Sequence, residues 1–185
     1  MPRILVVYGT TDGHTAKVAG AITETLHCTG GLADLRAADE PAPAPDEYDA
    51  VIVAASVHAG RYQKSVEKWV RAHAAALGRK PAAFVSVCLG VLQHDAKVER
   101  DLQAILDRFV AMTGWRPTAV KFVAGALPYT HYGWLRRLVM KRIVAKAGGD
   151  TDTSRDFEYT DWNDLRHFAV DFGLGLPSPA AAPPA

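Results

Sequence analysis

Cysteine is scarce: the 185 residues hold two, Cys28 and Cys88, and they form no C-x-x-C pair. A disulfide framework and a zinc site are both poorly supported, no metal site is read, and a reducing cytoplasm is the expected compartment. Long hydrophobic runs are missing as well. The first apolar stretch, Ile4 to Tyr8, stops at Gly9, which is too brief for a signal-peptide core or a bilayer span, so a soluble chain is expected. Net charge is nearly absent, since 21 Lys and Arg stand against 20 Asp and Glu. That balance makes no case for a nucleic-acid partner. Acid is missing altogether between Asp107 and Asp150, an interval that holds Arg108, Arg116, Lys121, Arg136, Arg137, Lys141, Arg142 and Lys146. This stretch carries a strong positive field.

What is present is apolar periodicity. With 49% apolar residues, a chain of this size buries about 70% of its unfolded surface in one domain without staples. Ile4–Tyr8 is a near-continuous apolar run of the kind covered on both faces of a parallel sheet. From His14, the residues Val18, Ala19, Ile22 and Leu26 recur at helical spacing, and Gly30-Gly31 ends that helix near His27. Leu32 to Leu35 is a weak second strand, and Ala50 to Ala55 is a third. A helix with Val66, Trp69, Val70 and Leu77 on one face then runs to Gly78. Ala82 to Cys88 is the fourth strand. Asp95 caps a helix of Val98, Leu102, Ile105, Leu106 and Phe109 that Gly114 closes, and Ala119 to Ala126 is the fifth strand. Thr160 is placed to cap a last helix of Leu165, Phe168, Ala169 and Phe172. Past Leu176 the Pro- and Ala-rich sequence has no core pattern, so residues 1–176 form the domain and 177–185 a disordered tail.

Strands alternating with helices predict a parallel sheet with helices on both faces, because each right-handed crossover returns a helix to the sheet. Ligands of such sheets sit at the carboxyl ends of the strands. The loop after the first strand reads Thr10-Thr11-Asp12-Gly13-His14-Thr15 and opens a helix. Its three hydroxyls and the unpaired amides of a positive helix end make an anion cradle. It lacks the Gly-Lys-Ser/Thr of a P-loop and the G-x-G-x-x-G of a dinucleotide turn. A hydroxyl-rich loop without its own cation suits one terminal phosphate, with an ordinary capped turn as the plainer reading.

After the third strand, Ser56-Val57-His58-Ala59-Gly60 with Tyr62 offers small residues for a close backbone approach and two rings for stacking. His58 is either a site residue or a surface histidine. Ser86-Val87-Cys88-Leu89-Gly90 follows the fourth strand, and Cys88 is either beside the ligand or a packed thiol. The fourth loop is long and carries Tyr129, Tyr132 and Trp134 ahead of Arg136, Arg137 and Lys141. Its helical pattern puts Trp134, Leu135, Leu138 and Val139 opposite the three cations, with Arg142 and Lys146 intruding. At about 1.5 Å per residue it is too short to cross a bilayer. It suits an anionic membrane surface or a place against the sheet edge.

Several further segments are discriminating: Trp115-Arg116-Pro117, Ala124-Gly125-Ala126-Leu127, Gly148-Gly149 with Thr151-Asp152-Thr153, and Tyr159-Thr160-Asp161-Trp162. With the Thr-x-Asp-Gly-x-Thr loop at Thr10–Thr15, they resemble the flavodoxin-like, menaquinone-dependent protoporphyrinogen IX dehydrogenases of bacterial haem synthesis, from Ile4 to about Phe172. The resemblance implies a flavodoxin-like doubly wound α/β fold, a five-stranded parallel sheet of order 2-1-3-4-5. It also implies FMN as cofactor, with Thr10 to Thr15 on its phosphate and the loops from Ser56 to Tyr62 and Ser86 to Gly90 along its ribityl chain and ring. Protoporphyrinogen IX is the implied substrate and menaquinone or another quinone the acceptor. Tyr129, Tyr132, Trp134, Arg136, Arg137 and Lys141 would then contact the substrate or the inner face of the cell membrane, with Arg136, Arg137 and Lys141 pairing with porphyrin propionates or lipid headgroups. Two rival expectations are a flavodoxin-type electron shuttle and another FMN-dependent quinone reductase. A receiver module is disfavoured, because Tyr8 and Gly9 stand where its acidic cluster belongs.

Overall fold

The computed structural model describes residues 1–41, 44–93, 95–127 and 152–176. Five parallel strands form one sheet: β1 (Arg3–Gly9), β2 (Leu32–Ala37), β3 (Ala50–Ser56), β4 (Ala82–Val87) and β5 (Ala119–Val123), in the order β2-β1-β3-β4-β5. This is the expected order. Four helices of the described residues cover it: α1 (His14–Cys28), α2 (Lys64–Leu77), α3 (Ala96–Thr113) and α4 (Trp162–Leu174).

Alternation along the central strands sorts the core into two layers. Ile4, Val6, Ile52, Ala54 and Val85 point to one face, where Val18, Ile22 and Leu26 of α1 and Leu165 and Ala169 of α4 meet them. Leu5, Val7, Val51, Val53 and Phe84 point to the other and meet Val66, Trp69 and Val70 of α2 and Leu106 and Phe109 of α3. Successive side chains of a strand face opposite ways, so an unbroken apolar run is what a two-sided burial requires. The edge strands β2 and β5 are only partly buried.

Register sets the ends of the strands level. Gly9 pairs with Ala55, Ser56 with Val87, and Val87 with Val123. The loops leaving β1, β3, β4 and β5 therefore emerge side by side at one edge.

Two expectations are corrected. The fifth strand stops at Val123 instead of Ala126, and Ala126–Leu127 (β6) pairs antiparallel with Phe157–Glu158 (β7) in a separate ribbon. The turn away is held where Thr160 Oγ1 donates to Ala124 O at 2.7 Å and Tyr159 N donates to Gly125 O at 3.1 Å. The last helix is capped by Asp161, whose Oδ1 accepts from Asn163 N and Asp164 N at 3.0 Å each. A carboxylate at the positive helix end displaces the neighbouring hydroxyl from that role. Thr160 is instead buried as a bridge between elements. The expected tail at 177–185 lies outside the described residues.

Gly9 marks where β1 and the start of α2 come closest. A Cβ there would lie inside van der Waals contact of Val66 Cγ2 and 3.2 Å from Gln63 Cβ. Val66 is β-branched and fully buried, so it has no free rotamer to retreat into. Gly9→Ala is expected to destabilise the fold by about 1–3 kcal/mol, the usual cost of overpacking. Urea unfolding should show a lower midpoint at unchanged slope.

Candidate functional site

The loop from β1 into α1 has the features of an anion cradle. Gly13 sits at the helix N-cap with φ of 86°, a left-handed conformation that glycine adopts without steric cost. Its N–H donates to Thr10 Oγ1 at 2.9 Å, which spends the hydroxyl's acceptor and leaves its proton to donate. No side chain caps α1 and its first turn has no acid, so the positive end of the helix is left for a ligand. Thr10 is half-buried, Thr11 exposed and Thr15 buried. Asp12 is half-buried within the same loop. This donor set fits a phosphomonoester such as that of FMN, with no need of a lysine.

The loop after β3 folds on itself. His58 N donates to Arg61 O at 2.8 Å and Arg61 N to His58 O at 3.1 Å, with Ala59 and Gly60 between them at φ of 49° and 74°. Two successive positive φ values define a mirror-image turn, and Ala59 pays a strain that glycine would not. That leaves Ala59 at an exposed tip and His58 half-buried beside it. Tyr62 and Ser86 turn inward from the site edge. The phenol is 5% exposed, lies 2.9 Å from Ser86 Oγ, and packs edge-on to Phe84 and Phe109. Burial pushes its pKa up to about 12. The aromatic core offers this ring more contact than a loop surface does, so the expected stacking of Tyr62 on a ligand is not the arrangement found.

After β4, Cys88 Sγ accepts from Gly90 N at 3.3 Å, and a short 3-10 turn spans Leu89–Gln93. Burial raises the Cys88 pKa, so the group stays a thiol. Val57 N donates to Val87 O at 3.0 Å and Cys88 N to Val123 O at 2.9 Å, which carries the strand ladder into the loops and holds them level.

Beside the cradle a polar cluster anchors α1 to the far end of the chain. Lys17 Nζ lies 2.6 Å from Glu158 Oε2, and Trp162 Nε1 donates to Glu158 Oε1 at 2.8 Å. Lys17 also lies over the Trp162 ring, 4.9 Å from its centroid. His14 Nε2 is 2.7 Å from Thr160 Oγ1. Because the Thr160 proton is committed to Ala124 O, His14 Nε2 must be the donor in that pair. Burial lowers the His14 pKa by more than Glu158 raises it, and Lys17 lowers it further. Burial of Glu158 acts to raise its carboxyl, but the hydrogen bonds from Lys17 and Trp162 prevail and hold it below the ordinary range.

This geometry can be set beside known proteins. A flavodoxin domain model matches residues 5–154. Protoporphyrinogen IX dehydrogenase (quinone) of Escherichia coli K12 is 33% identical over 168 residues, covering 90% of this chain and 92% of that protein. The protein of the same name from Leishmania major is 31% identical over 189 residues, covering 99% of this chain and 78% of its own. The chain belongs to this family. Among solved structures, oxidised flavodoxin 1 of Bacillus cereus superposes with a TM-score of 0.57 at 14% identity, over 95% of this chain and 99% of that one. At that identity the likeness shows the flavodoxin fold alone.

For this family member, the structure brings the loops Thr10–Thr15, Ser56–Gly60 and Val87–Gly90 to one edge. Tyr129, Tyr132, Trp134, Arg136, Arg137 and Lys141 lie outside the described residues. Among the described residues, no cluster of three or more His, Cys, Asp or Glu is placed to hold a metal, and no helix is long and apolar enough to cross a membrane. Sequence reasoning missed Gln63 and Glu158. Gln63 binds both the β1 and β3 loops, and an isolated amide at a helix start carries no signal of that. Glu158 adjoins the Tyr159-Thr160-Asp161-Trp162 segment, so proximity to a discriminating motif could have found it.

The His14 shift has a testable sign. The folded state holds this proton less tightly than the unfolded chain, whose histidine titrates near about 6.5. The associated stability is present above that pH and is lost as pH falls through it toward the lower folded pKa. Urea unfolding at about pH 7.5 and about pH 5.5 should show a drop in the native protein. His14→Gln, which does not titrate there, is expected to show a smaller one.

Proposed function

We propose that the chain oxidises protoporphyrinogen IX to protoporphyrin IX with non-covalently held FMN and passes the electrons to a quinone. The observation that carries this reading is 33% identity across 92% of a protein named protoporphyrinogen IX dehydrogenase (quinone). It is supported by an anion-receptive β1 loop at the edge where the family's fold places its ligand.

In this reading, Thr10 to Thr15 hold the phosphate through hydroxyl and backbone donors. The backbone of Ser56 to Gly60 and of Val87 to Gly90 follows the ribityl chain and ring, with Ala59 and Gly60 small enough for close approach. Tyr62 and Ser86 support the floor from within the core. FMN, when bound, supplies the two-electron redox chemistry, and the protein supplies orientation and electrostatics. Cys88, kept as a thiol by burial, packs without acting as a nucleophile. Tyr129, Tyr132 and Trp134 contact the substrate or the membrane, while Arg136, Arg137 and Lys141 pair with porphyrin propionates or with anionic headgroups at a cytoplasmic membrane surface. The acid-free interval from Arg108 to Gly149 supports that assignment and disfavours an acidic shuttle. Residues 1–176 form the working domain.

The purified protein should be yellow and release FMN on denaturation. Under anaerobic conditions, added protoporphyrinogen should bleach the flavin and a quinone should restore its colour. A protein that stays colourless in excess FMN overturns the reading, and bleaching only by a redox partner protein favours the shuttle.

Replacing Arg136, Arg137 and Lys141 together with Ala removes three cations, each contributing about 1 kcal/mol near an anionic surface. Co-sedimentation with anionic liposomes, or porphyrin affinity by fluorescence, is expected to weaken by at least about tenfold. Unchanged values in both assays leave those residues outside either contact.

A further inference from the structure

Gln63 stands at the N-cap of α2 yet does not cap it with its side chain. Its amide instead spans two loops that are distant in sequence. Oε1 accepts from Ser56 N at 3.1 Å, while Nε2 donates to Ser56 Oγ at 2.6 Å and to Thr11 Oγ1 at 3.2 Å. The orientation of the amide follows from this network. Ser56 N can only donate, so it must face Oε1, and Nε2 must then face the two hydroxyls. Both amide protons and an oxygen lone pair are thereby used.

Ser56 N needs that acceptor. Val57 N donates to Val87 on the β4 side, and successive strand amides alternate sides, so Ser56 N points toward the end of β1. Gln63 reaches it because α2 closes tightly on Gly9, whose missing side chain leaves the room.

The consequence lies in the hydroxyl protons. Thr11 Oγ1 and Ser56 Oγ each accept a hydrogen bond from Gln63, and Thr10 Oγ1 accepts one from Gly13 N. Each of these hydroxyls is left with its own proton to donate. Three hydroxyls from two loops are thus biased to act as donors, the polarity that a phosphate dianion requires and a neutral ligand does not. We propose that Gln63 is a positioning residue that ties the β1 and β3 loops together and sets the Thr11 and Ser56 hydroxyls as donors to the cofactor phosphate. This rests on assigning the β1 loop to the phosphate of FMN.

The test compares FMN with riboflavin, which lacks the phosphate, by titrating each into the apoprotein of the native chain, Gln63→Met and Gln63→Glu. Gln63→Met keeps the volume and removes the donors, and FMN affinity should fall about 10- to 100-fold, the range for losing well-oriented hydrogen bonds to a charged group. Gln63→Glu accepts where Gln63 donates, so it turns both hydroxyl protons away from the ligand and adds a negative charge. Its loss of FMN affinity should be larger still and should lessen as salt rises. Riboflavin affinity should change by less than about threefold in both, since the ring contacts are untouched. Equal losses for both ligands, or a complete loss of both, make Gln63 a general support of the fold and overturn the proposal. Unchanged FMN affinity overturns it too. Failure of the native chain to prefer FMN over riboflavin sinks the phosphate assignment itself, a result distinct from either.

Discussion

The close approach of α2 to the end of β1, possible only because residue 9 has no side chain, governs the geometry of the site edge. Level strand ends and backbone bonds align the loops after β3, β4 and β5, but those backbone bonds do not reach from the β1 loop to the β3 loop. With α2 packed on Gly9, the start of that helix projects Gln63 between the first two loops, and its amide fastens them. The same packing seats Val66 in the core, so the constraint serves stability and site construction together.

A second fastening acts on the other flank of the cradle. α1 begins at the anion loop, and its first turn is tied through His14 and Lys17 to Thr160, Glu158 and Trp162. Glu158 ends the β6–β7 ribbon and Thr160 and Trp162 follow it; the ribbon forms where the chain turns away from the sheet after β5. The β1 loop is thus clamped between α2 on one side and the start of α4 on the other. In the proposed reading this rigidity serves anion binding, because the loop's amides and hydroxyls are oriented before the ligand arrives. Neither clamp places a formal positive charge in the loop itself, in keeping with a site for one phosphate.

Much of the fold was legible. β1, β3 and β4 are apolar without alternation because both their faces are covered, and a run such as Ile4–Val7 cannot be a half-exposed strand. The helices announced themselves by period and by Gly30, Gly78 and Gly114. The β6–β7 ribbon was not legible, since two-residue strands have no period to detect. Thr160 resembled a cap because hydroxyls favour helix starts, but Asp161 competes for the same amides and wins by charge. Of the candidate site, the hydroxyl-rich composition of the Thr10–Thr15 loop and its place at the start of α1 were plain in the sequence. Tyr62 was not, because whether a ring beside a loop faces outward or inward depends on Phe84 and Phe109, which arrive from β4 and α3.

By itself the sequence determined the number and kind of the central elements, the loop suited to a phosphate, and the acid-free basic interval. These are local properties, written in neighbouring residues through periodicity, turn chemistry and charge. Only the tertiary structure decided which hydroxyls accept from Gln63 and Gly13, which aromatic residues serve the core, and how Thr11, Ser56 and Gln63 come within hydrogen-bond reach. Those outcomes depend on register and helix packing between segments as much as 52 residues apart, and no window along the chain contains that information.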